Sequence, residues 1–191
     1  MNSSKIILAF VGMPGAGKSE ATKYLFKKGF PFVRFGQFTE DVIKEANLPL
    51  NTENERIFRE KLRQEFGMEA FAVKAKPKLD ELIKTHDFVV IDGLYSWEEF
   101  TYLKKYFDFL KLISIYAEPQ IRYERLSKRL VRPIALKDSY ERDVREIEKL
   151  NKGGPIAIAD FCLINNSSDI SDLYKNIENV LGRFNIKIWL I

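Results

Sequence analysis

Gly12-Met13-Pro14-Gly15-Ala16-Gly17-Lys18-Ser19 satisfies the pattern G-x-x-x-x-G-K-[ST]. Residues of these types at this spacing handle phosphate. Glycines let a backbone wrap around phosphate oxygens with its N–H groups turned inward, and a helix starting just after them adds partial positive charge at the same spot. Lys18 would then reach the β and γ phosphates, and the Ser19 hydroxyl would ligate Mg²⁺. A plain glycine-rich turn explains the glycines but leaves the Lys-Ser pair without a reason.

Asp92 ends the apolar run Phe88-Val89-Val90-Ile91 and precedes Gly93. A strand end of this kind points a carboxylate at a metal beside the first strand, the Walker B arrangement. Asp92 therefore either binds Mg²⁺ through water or accepts a proton from an acceptor hydroxyl, and spacing alone does not separate the two. Arg122, Arg125 and Arg129 share a helical face, with Arg132 just beyond. That face either closes over a triphosphate or is a solvated face paired with Glu118 and Glu124.

These residues need elements to hold them. Lys5 to Val11 reads as a strand buried on both faces, and a helix follows from about Gly17 to a cap at Gly29. Further strands are expected at Phe32 to Phe35, Phe88 to Ile91, Leu110 to Tyr116 and Phe161 to Ile164. Helices fill the spaces: several from Thr39 to Thr85 with breaks at Leu48-Pro49, Gly67 and Pro77, then Trp97 to Tyr106, Gln120 to Leu130, Asp138 to Leu150 and Ile170 to Leu181. The Asp138 helix is expected to close at Gly153-Gly154-Pro155, and the tail 186–191 to be a strand. Alternation of this kind predicts an α/β fold with a mostly parallel sheet and helices on both faces, in three layers. The expected organisation is one domain over residues 1–191, with a helical insertion at about 37–85 over the active edge and a helical lid at about 119–150.

The chain has 191 residues, 46% of them hydrophobic and 30% charged, with a formal net charge of +4. That composition suits one globular domain and argues against disorder or membrane spanning. A single cysteine, Cys162, and a single histidine, His86, leave no internal disulfide and no His-rich or Cys-rich metal centre. With no targeting segment visible, a reducing, cytoplasmic location is expected. Cys162 is expected to be a buried packing residue and His86 a solvated helix end.

The segments Gly12 to Glu20 (GMPGAGKSE), Glu65 to Met68 (EFGM), Ile91 to Ser96 (IDGL-x-S), the arginine-rich pattern from Glu124 to Arg129, Glu141-Arg142-Asp143, Ala157 to Asp160, and Asn165 together resemble an uncharacterised, largely archaeal family of short P-loop proteins. That family is similar to dephospho-CoA kinase and the adenylate-kinase-like nucleotide kinases. The resemblance spans Ile6 to about Leu181. It implies a P-loop NTPase fold, ATP and Mg²⁺ at the P-loop, a lid carrying Arg125 and Arg129, and an adenine-side loop near Asn165. Two stretches depart from the pattern: Gly36-Gln37-Phe38-Thr39-Glu40 stands where Gly-Asp and then arginine are usual, and Tyr95 where arginine is frequent. Both positions would face the phosphate acceptor, and Glu40 or Asp41 would be the replacement carboxylate.

The expected activity is transfer of the ATP γ-phosphate to a nucleoside monophosphate or to dephospho-CoA. The alternative is an NTP-binding regulator or slow ATPase, favoured by Gln37, Glu40 and Tyr95. A GTPase is weaker, because Asn151-Lys152-Gly153-Gly154 has glycine where the guanine-reading aspartate belongs. A nucleic-acid partner rests only on +4 and scattered lysines. The acceptor, the base preference and the oligomeric state stay open.

Overall fold

β1 (Ile6–Val11) is buried along its whole length, as a central parallel strand covered on both faces must be. The computed structural model describes residues 5–130 and 133–186. After β1 the chain enters α1 (Lys18–Lys27), β2 (Phe32–Arg34), then α2 (Phe35–Glu45), α3 (Thr52–Phe66) and α4 (Ala70–Thr85). β3 (Phe88–Asp92), α5 (Trp97–Tyr106), β4 (Leu110–Tyr116), α6 (Pro119–Ser127), α7 (Leu136–Leu150), α8 (Gly153–Ala157), β5 (Phe161–Ile164) and α9 (Ile170–Arg183) complete the order.

The five strands form one sheet in the order β2-β3-β1-β4-β5, and every pairing is parallel. Alternating side chains divide the core in two. Ile7, Ala9 and Val11 pack with Phe71, Ala75 and Leu79 of α4 and Leu103 of α5. Leu8 and Phe10 pack on the opposite face with Ala21 and Leu25 of α1 and Leu173 and Ile177 of α9. The expected α/β, three-layer P-loop fold is therefore the one observed.

Register places the chemistry. Arg34 pairs with Asp92 across β2 and β3, and β3 lies directly beside β1. The carboxyl ends of these strands thus meet the loop that follows β1, where an open α/β sheet binds its ligand.

Several expectations need correction. Pro77 does not break a helix: α4 runs through it from Ala70 to Thr85. Pro77 is exposed, while Ala70, Phe71, Ala75 and Leu79 on the inner face are buried. Their burial outweighs the cost of about 3 kcal/mol for an interior proline. Gly153-Gly154-Pro155 does not merely end α7 either, since Asn151 in the left-handed conformation caps it and the glycines open α8. Cys162 is exposed. β5 is the sheet edge, and there only the Leu163 side is covered, leaving Cys162 and Ile164 outward. His86 is the exposed C-cap of α4, as expected. The tail strand and Arg132 fall at least partly outside the described residues.

Candidate active site

The loop between β1 and α1 is shaped by close approach. Gly12 has φ 143° and Gly15 φ 81°, conformations that side chains rarely adopt. A Cβ on Gly12 would strike the Ile115 carbonyl oxygen, and one on Gly15 would sit 2.7 Å from the Arg122 carbonyl oxygen. The loop is thereby pressed against β4 and α6, with Pro14 and Ala16 buried. Lys18, the first residue of α1, folds back so that its ammonium donates to the carbonyls of Gly12 at 2.8 Å and Met13 at 3.0 Å. Burial first, and then the neighbouring Lys152 ammonium, push its pKa well below the ordinary lysine value. Lys18 is a cation short of counter-charge, suited to phosphate. Ser19 is exposed at the next position; Glu20 faces solvent and ion-pairs Lys23 at 3.0 Å.

Asp92 closes the opposite side. Burial raises its pKa, and the charges of Arg34, Lys18 and Lys23 pull it back down. Arg34 itself is held by Glu40 at 2.8 and 2.5 Å and by the Gln37 side-chain oxygen at 2.8 Å. The stretch that departs from the family pattern thus clamps an arginine from the preceding strand. Asp41 accepts from the Gln37 side-chain amide at 2.7 Å instead. Tyr95, on the turn after Asp92, is pushed upward in pKa by burial and by the Asp92 carboxylate. Its backbone N–H donates to Glu99 at 2.6 Å, within a capping box that starts α5.

The three arginines of the expected face take different places in the structure. Arg122 is not a lid cation. It is buried, bonded to Asp143 at 3.1 and 2.6 Å and to the carbonyls of Pro14 at 3.0 Å and Ala117 at 3.1 Å. Its place at the base of α6 lets one planar guanidinium tie α6, α7 and the P-loop together. Arg125 donates to the carbonyls of Asn165 at 2.9 Å and Ser167 at 2.8 Å, and the buried Asn165 amide donates to Ala16 at 2.8 Å. Arg129, just past α6, lies in the electrostatic reach of Lys18, Arg142 and Tyr95. Pairing with Glu118 and Glu124 is not what occupies these arginines: Glu118 takes Asn166, and Glu124 takes Lys128.

Lys152, which the sequence marks only within Asn151 to Gly154, and Glu146 also stand at this site. Lys152 is 3% exposed, contacts the Glu146 carboxylate and sits 4.8 Å over the Tyr95 ring. Glu146 also accepts from Arg142 at 3.1 Å; burial works against its charge, but Lys152 and Arg142 hold its pKa below the usual glutamate value. A signal was available in part, since Glu146 lies four residues from Arg142 on one face of α7. Nothing local to Asn151-Lys152-Gly153-Gly154 shows that it turns toward the P-loop.

The AAA domain family pattern matches residues 8–149. A UPF0200 protein of Thermococcus sibiricus is 36% identical over 186 residues, covering 95% of this chain and 97% of its own. One from Methanocaldococcus jannaschii is 35% identical, covering 92% and 89%. The chain belongs to the UPF0200 family and carries an AAA domain. Among solved structures, the shikimate kinase of Acinetobacter baumannii, crystallised with shikimate, superposes with TM-score 0.58 at 14% identity over 97% of both chains. That of Bacteroides thetaiotaomicron gives TM-score 0.56 at 14% identity, over 95% of this chain and 99% of its own. At such identity the likeness is one of fold, a P-loop kinase fold.

Folds of this kind generally bind ATP with Mg²⁺, and the residues present in this UPF0200 protein fit both. Glycines at 12, 15 and 17 let the loop close against β4, α6 and Asn165, where any Cβ would clash, and Lys18 opens α1 directly after them. Ser19 and Asp92 offer hard oxygen donors, the set that Mg²⁺ uses beside phosphate and water. Among the described residues no three His, Cys, Asp or Glu side chains gather as metal ligands, so phosphate and water would complete the coordination. No helix among the described residues is long and apolar enough to cross a bilayer.

Proposed function

We propose that this protein is an ATP-dependent phosphotransferase of the nucleotide-kinase type, acting on a nucleotide-like acceptor such as a nucleoside monophosphate or dephospho-CoA. The observation that carries this reading is the meeting of the Gly12 to Ser19 loop, with its half-buried Lys18, and Asp92 at the ends of adjacent parallel strands. ATP with Mg²⁺ would supply the phosphoryl group and part of the charge balance at its oxygens.

The chain's own residues divide the remaining work. Backbone N–H groups of Met13, Gly15 and Gly17 to Ser19 cradle phosphate, the Ala16 N–H being held by the Met13 carbonyl at 3.2 Å, and Lys18 leaves the Gly12 and Met13 carbonyls to meet it. Asp92 and Ser19 hold the metal side. Arg129 is the lid cation over the phosphates, within a lid formed by residues 119–150. Arg125 acts through the Asn165 to Ser167 loop that it anchors, beside the base. The helical stretch 37–85 covers the acceptor, with Arg34 opposite Asp92.

A second reading is favoured by one observation. Arg34 is already engaged by Glu40 and Gln37, which leaves that acceptor-side cation neutralised and suits a slow ATPase or NTP-binding regulator. Both are separated by γ-phosphate transfer from ATP and GTP with Mg²⁺ to dephospho-CoA and to ribo- and deoxyribonucleoside monophosphates. Transfer to one acceptor, lost in Lys18→Ala, supports the kinase and names its substrate. Nucleotide binding with slow hydrolysis and no transfer to any of them overturns it in favour of the regulator.

A further inference from the structure

Lys18, Lys152, Arg129 and Arg142 lie within electrostatic reach of one another near the P-loop and the Tyr95 turn, with Glu146 and Asp92 among the carboxylates that act on them. Glu99 and Asp143 also act on Lys152, and Glu20 on the exposed Arg129, so what stands out is not a surplus of charge but the buried contact of Lys152 with Glu146 within reach of Lys18. A buried Lys-Glu pair is a poor device for stability alone, because removing both charges from solvent costs about as much as their attraction returns. Placing such a pair beside Lys18 makes sense if the ammonium has a second partner.

We propose that Lys152 reads the γ-phosphate of bound ATP, exchanging its contact with Glu146 for one with the terminal phosphate oxygens. Geometry carries the assignment. The Lys152 ammonium is fixed over the Tyr95 ring at 4.8 Å, three residues beyond Asp92, and is held by a carboxylate on α7 that a second cation, Arg142, shares at 3.1 Å. The short helix α8 anchors its backbone, with Gly154 packed on Trp97 so closely that a Cβ would lie 2.6 Å from the indole. Glu146 is thus a positioning residue: it parks Lys152 when no triphosphate is present, and Arg142 remains to balance it when Lys152 swings away. Electrostatics agree, since Lys152 is the charged group that acts most strongly on Lys18. ADP lacks the group that Lys152 meets, so the lysine separates triphosphate from diphosphate.

This inference rests on nucleotide occupying the P-loop, but not on transfer to an acceptor. The test is calorimetric titration of Mg·ATP and Mg·ADP into the full chain, which reads binding rather than turnover. Lys152→Met, which keeps the packing over Tyr95, should weaken ATP by about tenfold or more while ADP stays within about twofold, the size expected for one charge-assisted contact. Lys152→Arg should restore most of the ATP preference. Glu146→Gln, which frees the ammonium, should raise the ATP-to-ADP affinity ratio severalfold, and it keeps the test open if Lys152→Met does not fold. Equal weakening of both nucleotides by Lys152→Met, or an unchanged ratio in Glu146→Gln, overturns the proposal. A wild-type protein that separates ATP from ADP through Lys152 yet phosphorylates no acceptor would sink the kinase reading and leave this one standing; wild type that binds neither nucleotide overturns both.

Discussion

At the residue scale the P-loop is defined as much by what it excludes as by what it binds. Gly12 lies against the Ile115 carbonyl and Gly15 against Arg122, both at positive φ. Gly12→Ala should therefore cost about 3 kcal/mol or more of stability, since the left-handed backbone strain adds to a clash with main chain that cannot rotate away. Urea unfolding checks this, and a loss below about 1 kcal/mol would mean that the loop relaxes. The cradle was legible in the sequence because its signal is local: eight consecutive residues carry the glycines, the lysine and the serine. Lys152 was not legible, because its role comes from three elements distant in sequence, with Tyr95 after β3, Glu146 on α7 and Lys18 on α1 converging on it.

At the scale of elements, α6 and α7 are joined by a buried ion pair rather than left to swing freely. Arg122 and Asp143 are both largely buried, and Tyr123 adds a bond from its hydroxyl to Asp143 at 3.1 Å. Arg122→Ala leaves the Asp143 carboxylate buried and uncompensated and frees the Pro14 carbonyl, so it should destabilise the protein by about 3–5 kcal/mol. Denaturant midpoints should show this loss, together with weaker nucleotide binding because the P-loop loses a brace. The periodicity that placed Arg122, Arg125 and Arg129 on one helical face holds for the first two only, because α6 ends at Ser127, and it carried no information about depth. Arg122 sits at the root of α6, where the sheet and α7 close over it, and Arg129 lies beyond the last turn. Pro77 teaches the converse: local breaker chemistry yielded to the burial of the inner face of α4.

For the whole molecule, buried charge makes stability depend on pH. Glu99 is fully buried, and burial lifts its carboxyl from 4.5 to about 7 even though the Tyr95 and Ser96 amides donate to it. The folded protein thus keeps a proton that the unfolded chain releases near its ordinary pKa. Stability is fully present below pH 4.5 from this group and falls as pH rises toward 7, by about 3 kcal/mol. Glu99→Gln, which still accepts both amides, should flatten that slope in unfolding midpoints measured across the interval; an unchanged slope would place the proton elsewhere. The edge position of β5 predicts a second bulk property. Cys162 should react with a thiol reagent in the native state at a rate close to that of the unfolded chain, without loss of fold, and full protection would contradict the exposed placement. Fold class and strand positions followed from apolar runs set between helical periods, whereas edge and centre strands differ in a short apolar run by nothing that the residues themselves display.

The central claim, that the loop from Gly12 to Ser19 is a working nucleotide site, is tested most directly by titrating Mg·ATP into the wild type and Lys18→Ala and measuring the heat of binding. The account predicts saturable one-site binding by the wild type and affinity at least about thirtyfold weaker in the variant, as expected when a half-buried cation opposite phosphate is removed. Equal affinity in the two proteins, or no binding by either, would contradict it.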